Sequence, residues 1–496
     1  MSECDTSLWL PSIFSDNMVL RRGIPIPVWG RAEPGKRVVV RAGEREECAI
    51  ADPDGRWMAE LSPMEAGGPF TLTVEAGESR SFCNVMVGEV WVCSGQSNMQ
   101  WAVRDSMDAE AEIQDADRSS IRLFTVPNTV ADAPEEDCGG EWQVCSAETV
   151  PGFSAVAYFF GGELSKALDV PIGLINTSWG GTPAQSWMSR SRLESDEMLR
   201  GYLTRWEENI RTLPEQMRHY EEVLMLEWRE AVERAKAVGE EPPWEPWPPQ
   251  GNDSPHRPTS LYNAMVAPLV PFGIAGAIWY QGESNVDRAH EYCRLFSAMI
   301  EDWRQAWNQG AFPFYFVQLA NFTPVVDEPA ESDWAELREA QLQTLALENT
   351  GMAVIIDIGE AEDIHPRNKQ DVGKRLALWA LAKAYARDIV YSGPLYESME
   401  ILGRDVRLLF AHTDGGLQAM GGDLQGFAVA GADRVFHWAN ARIDGDAVLV
   451  SSDEVPEPVA VRYAWANNPV CNLANGAGLP ASPFRTDDWP GVTSGR

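Results

Sequence analysis

The chain lacks the signatures of most cofactor chemistries. Its eight cysteines, at 4, 48, 83, 93, 138, 145, 293 and 471, contain no Cys-x-x-Cys pair, so neither a zinc site nor a disulfide framework is suggested. None of the six histidines lies in a His-Glu-x-x-His segment, the helical spacing that two imidazoles need to share a metal. No Gly-x-Gly-x-x-Gly follows a strand and no P-loop occurs, which removes the usual nucleotide cofactors. No cofactor and no metal is expected. Positive charge is also scarce, with 40 basic against 74 acidic residues and a net charge of −34. Nucleic acid and anionic membrane both need a cationic surface, so neither is an expected partner. No apolar run is long enough to span a bilayer. Met1–Asp5 shows no basic flank and no apolar h-region. A cytoplasmic location is therefore expected as the sequence stands, and a periplasmic or secreted one if a leader has been removed.

At 496 residues the chain exceeds one ordinary core, and two or three domains are expected. Residues 1–84 read as a β-sandwich-like domain. Short β-branched runs such as Val38-Val39-Val40 and Thr71-Leu72-Thr73-Val74 are separated by turn signals such as Asp52-Pro53-Asp54-Gly55. From 85 to 390 strands alternate with amphipathic helices. The expected strands are Val90–Cys93, Ile172–Asn176, Ile274–Tyr280, Phe314–Leu319 and Ala353–Asp357. The expected helices are Asn98–Met107, Ser154–Leu168, Glu291–Trp307, Trp334–Leu347 and Asn368–Arg387. Five apolar strands alternating with helices predict an α/β fold with a five-stranded parallel sheet covered on both faces. An insertion at 186–258 holds a charged helix followed by the stiff segment Pro242–Pro249. It reads as a helical hairpin beside the sheet, with a substrate-covering lid as the alternative. Residues 391–496 are β-rich again, either as a separate sandwich or packed with the N-terminal domain.

In parallel α/β sheets ligands gather at the carboxyl ends of the strands. There the first strand presents Gly95-Gln96-Ser97-Asn98 and the second Ser178-Trp179-Gly180-Gly181. The third presents Gln281-Gly282-Glu283-Ser284-Asn285, and Glu362-Asp363-Ile364-His365-Pro366 follows the fifth. A serine becomes a nucleophile only when a base takes its proton, and imidazole titrates in the right range. Ser97 is the candidate nucleophile and His365 the candidate base, with His290 the competitor for that role. Asp363 is the candidate acid that orients the imidazole, with Glu362 as the alternate. The developing oxyanion needs fixed donors. The Ser97 N–H, an N–H of Gly180 or Gly181, and a side-chain amide of Gln281 or Asn285 are available.

The run Trp91–Met99, together with Trp279–Asn285 and Asp363-Ile364-His365-Pro366, resembles the sialate O-acetylesterase family within the SGNH (GDSL-like) hydrolases. Phe14–Leu20 and Val461–Trp465 look like its flanking β segments. The resemblance implies a flavodoxin-like three-layer α/β/α domain that removes O-acetyl groups from sugars by a metal-free serine mechanism. It implies the same roles for Ser97 and His365, and oxyanion-hole roles for the glycine pair and the Gln281–Asn285 loop. Many relatives of this kind place the acid three residues before the histidine, where this chain has Glu362, so a Ser–His dyad is the alternative to a triad. An acetylated sugar or glycan is then the expected partner, sialic acid first and acetylated hemicellulose second. A non-catalytic glycan-binding module is the reading from another class. Gln100, Trp101, Trp179 and Glu283 flank the motif residues and are the candidate substrate contacts. Trp187 joins the two tryptophans as a candidate stacking surface, and Arg104 or Arg190 is the candidate cation for an anionic sugar.

Overall fold

The computed structural model describes residues 7–495; the Met1–Asp5 stretch, without basic flank or apolar h-region, lies outside them. The fold is mixed α/β, organised on one long strand, β1 (Ser79–Gly95). Its first half pairs antiparallel with Gly67–Glu75 and parallel with Val19–Arg21, closing the N-terminal sheet. Its second half is buried from Val87 to Gly95 and runs down the middle of the main sheet. Position 84, read from sequence as a boundary, thus falls inside a continuous strand.

The neighbours of β1 in that sheet are β2 (Arg118–Thr125), β3 (Trp142–Cys145), β4 (Ile172–Ser178), β5 (Gly276–Tyr280), β6 (Phe314–Val317) and β7 (Thr350–Ala353). They run in the order β7-β6-β5-β1-β4-β2-β3. All pairs are parallel except β2 with β3. Four of the five expected strands are present and parallel, and the fifth is displaced from Ala353–Asp357 to Thr350–Ala353. β2 makes a further parallel strand and β3 adds an antiparallel edge, so the sheet is mixed and wider than expected. The sequence Arg118-Ser119-Ser120-Ile121-Arg122-Leu123-Phe124-Thr125 hides β2 because polar residues break its short apolar run. The last strand ends at Ala353, where the expected one begins. Val354–Ile356 are buried yet have left the sheet, and their apolar character reflects burial rather than pairing.

Aromatic side chains alternate along β6 and show how the layers form. Tyr315 stacks on Trp91 and meets Trp379, while Phe314 and Phe316 pack on Phe296. Trp379 ends helix Lys369–Trp379, and Phe296 lies in helix Ala289–Trp307. Successive strand side chains point to opposite faces, so helices cover both. Residues Leu8 to Leu381 contribute to one hydrophobic cluster, and a second joins Val406, Phe427, Val448, Val461 and Phe484 in the C-terminal β region. That region docks on the main sheet through the buried Arg338, whose guanidinium donates to the carbonyls of Leu319, Ala320, Ala466 and Asn467. Among the described residues no helix is long and apolar enough to cross a membrane.

Candidate active site

Three strand ends are level. Gly95 pairs with Ser178 of β4 on one side and Tyr280 of β5 on the other. Gly95 has φ +139, and a Cβ there would lie 2.1 Å from the Tyr280 carbonyl oxygen, so only glycine lets the chain turn here. The Gln96 N–H donates to Tyr280 O and the Trp179 N–H to Gly95 O, holding the three exits together. Ser97 then opens a single helical turn, Ser97–Gln100, rather than the ten-residue helix expected from 98 to 107. Trp101 leaves helical geometry, and its carbonyl accepts from the Ala155 N–H at the start of helix Ala155–Leu168. A tertiary bond outweighs a local propensity for continuing the helix.

The half-buried Ser97 meets His365 across 268 residues of sequence, with Oγ and Nε2 2.9 Å apart. The Nδ1 of His365 lies 3.4 Å from Asp363 Oδ1, and the same oxygen accepts the His365 backbone N–H at 2.8 Å. Trp101 stacks on the imidazole, centroids 5.1 Å apart at 19°. Burial holds the His365 pKa below its ordinary value; the Asp363 carboxylate opposes this and the Lys369 ammonium reinforces it. Neutral imidazole is the form that accepts a proton. Glu362 is exposed, and Asp363 rather than Glu362 faces the ring. His290 is exposed at the start of the Ala289–Trp307 helix, with its N–H on Thr493.

The glycine pair arrives beside Ser97. A Cβ on Gly180 would stand 3.3 Å from Ser97 Cβ, and Gly181 has φ +74. The Gly180 N–H donates to Gln100 Oε1 at 2.8 Å, so Gln100 braces the loop. The amides of the third loop are likewise engaged within the protein. Gln281 Nε2 donates to Thr182 O and Asn285 Oδ1, and its Oε1 accepts from Tyr292. Asn285 Nδ2 donates to Gln185 Oε1. Glu283 Oε1 accepts from Asn98 at 2.6 Å, and Oε2 is buried without a hydrogen-bond partner among the described residues. Trp179 is half-buried at the rim, but Trp187 is wholly buried against Trp279 and has no face for a sugar. Arg104 and Arg190 are exposed and pair with Asp105 and Glu194.

Residues from the insertion line a cavity beside the glycine loop. The helix Glu197–His219 and the loop after Met225–Val238 bring Tyr202, Arg205, Trp206 and His256 to a cavity of about 440 Å³ shared with Gly181 and Asn285. The charged helix was legible in sequence; that its Tyr202 and Trp206 turn toward the glycine loop was not.

A serine and an imidazole in contact at the carboxyl edge of a parallel sheet define an ester hydrolase of the α/β class. The comparisons narrow that class. A family model described as carbohydrate esterase, sialic acid-specific acetylesterase matches residues 87–218 and 232–382. The chain is 31% identical to a sialate O-acetylesterase of Mus musculus over 92% of this chain and 90% of that protein. It is 30% identical to the Homo sapiens counterpart, over 97% and 94%. The crystal structure of a carbohydrate acetylesterase from Xanthomonas citri superposes with TM-score 0.83 and 39% identity, covering 97% of this chain and all of that one. The chain belongs to the sialic acid-specific acetylesterase family of carbohydrate esterases.

Proposed function

We propose that this protein is a serine carbohydrate O-acetylesterase built on the three-layer SGNH hydrolase plan. The observation that carries the reading is the 2.9 Å contact between Ser97 Oγ and His365 Nε2. As the Ser97 oxygen attacks the acetyl carbonyl, His365 takes the hydroxyl proton and becomes an imidazolium that Asp363 stabilises. His365 returns that proton to the departing sugar oxygen, leaving acetyl on Ser97. Water then attacks the acetyl-enzyme with His365 again as base, releasing acetate and restoring Ser97. The Ser97 N–H opens a helical turn and so has no intrahelical acceptor. With the Gly181 N–H it forms the oxyanion hole in this reading. Gln281 and Asn285 hold the surrounding loops in place rather than donating to the oxyanion.

The substrate we propose is O-acetylated sialic acid, following the names of the curated relatives. Arg205 and Arg288 at the cavity supply cationic groups for its carboxylate. A neutral acetylated sugar is the second reading, favoured by the net charge of −34. A glycan-binding module without turnover does not need an imidazole aimed at a serine, and we set it aside. Assaying purified protein on O-acetylated sialic acid, acetylated xylan and p-nitrophenyl acetate tests the proposal. Acetate release from all three at background rates would end it.

A further inference from the structure

Beneath the reacting pair lies a polar cluster that the mechanism above does not use. Lys369, first residue of the helix Lys369–Trp379, is fully buried. Lysine is almost never fully buried without compensation. Its ammonium donates to Asn98 Oδ1 at 2.5 Å and sits 5.6 Å from the Trp101 ring centroid and 5.5 Å from that of Tyr280. The amine thus has one amide oxygen and two aromatic rings as neighbours. Asn98, so oriented, donates to Glu283 Oε1 at 2.6 Å and to the Ile364 carbonyl at 3.0 Å.

Each contact reaches a catalytic element at one remove. Asn98 adjoins Ser97 in the same helical turn, and Ile364 adjoins His365. Trp101 is the ring stacked on His365. Glu283 belongs to the loop after β5, whose Gly282 and Ser284 N–H groups donate to Gln96 Oε1 beside the nucleophile.

We infer that Lys369 is a positioning residue for the esterase reaction: through Asn98 and Trp101 it fixes Ser97 and His365 relative to each other. The inference rests on the proposed roles of Ser97 and His365. His365 is faced by Ser97, by Trp101, by Asp363 of its own loop and by the Lys369 charge. Lys369 is faced by Asn98, Trp101, Tyr280 and Glu283, with Asp363 and Glu360 further off. Burial draws its own pKa down to about 7, against the pull of Glu283, Asp363 and Glu360. A rise in pH above neutrality therefore weakens the clamp as well.

The test compares wild type, Lys369→Met and Lys369→Gln on p-nitrophenyl acetate, with circular dichroism to check folding. Met keeps the stem and loses both charge and donor; Gln keeps a donor to Asn98 and loses only charge. The expected result for Lys369→Met is a fall in kcat of about 10- to 100-fold with KM within about twofold. Lys369→Gln loses less. In both, the acid limb of the kcat/KM profile moves to higher pH, because removing a neighbouring cation makes the imidazole easier to protonate. A folded variant with unmoved acid limb and kcat within about threefold of wild type overturns the inference. So does failure of both variants to fold, since Lys369 would then be core support. Inactive wild type with Ser97→Ala unchanged from it would instead remove the esterase reading itself.

Discussion

Ser97, His365 and Asp363 carry predictions of different sizes. Ser97→Ala is expected to lower kcat on p-nitrophenyl acetate by at least about 10³-fold with an unchanged thermal melt, because removing the nucleophile leaves only binding and the oxyanion donors. Asp363→Asn is expected to cost about 10²-fold, while Glu362→Gln stays within about threefold, since only Asp363 faces Nδ1. Equal losses from the two would return the acid to Glu362. The pH dependence follows from sign. The reactive imidazole is neutral, and burial holds its pKa below 6.5. On the acid side activity is therefore lost as pH falls through the folded-state value, and above neutrality it weakens again as Lys369 loses its charge. A kcat/KM midpoint above 6.5 would contradict the burial argument. At this scale the serine, the histidine and the glycine pair were legible, because each breaks a strand with residues that suit chemistry better than packing. Lys369 was not legible, since lysine at a helix start ordinarily faces water. Nor was the internal engagement of Gln281, which depends on Thr182 and Tyr292 from distant parts of the chain.

Among the elements, the turn after β1 is the most constrained. Gly95→Ala places a methyl group against the Tyr280 carbonyl at a positive φ and is expected to destabilise by about 2–4 kcal/mol. Chemical denaturation checks this, and a change below about 1 kcal/mol would mean the two strand exits can part. The insertion makes a separate prediction. Trp206→Ala and His256→Ala remove parts of the cavity wall beside Gly181. The expected loss in kcat/KM is about tenfold greater for an acetylated sugar than for p-nitrophenyl acetate. Parallel losses on both substrates would place the cavity outside the sugar's path. Strands with unbroken apolar runs were readable, whereas β2 was not, because its buried half is only Ile121 to Phe124. The single helical turn at Ser97 was also unreadable, since what ends it is a bond from the Ala155 N–H to the Trp101 carbonyl rather than a proline or glycine.

For the whole molecule, charge and docking dominate. At −34 the protein repels an anionic sugar, and salt weakens that repulsion. A sialic acid ester is expected to show kcat/KM rising with ionic strength, while a neutral acetylated sugar shows a flat response. A falling response for the sialic acid ester would mean that Arg205 and Arg288 set the local field. The C-terminal region is held by a buried guanidinium surrounded by four carbonyls. Its β character was readable from sequence, but its berth against Leu319 and Ala320 was not, because backbone acceptors leave no trace in residue type.

The unbroken course of β1 has a consequence for anyone dividing this chain. One rod closes the N-terminal sheet and then serves as the middle rung of the catalytic one. Adding a single residue within it would turn every later side chain of the rod over. Val90 and Val92 would trade places with Trp91 and Cys93, and the serine would leave the rim with them. The first eighty residues are no detachable appendage, for the strand they run into ends two residues before Ser97.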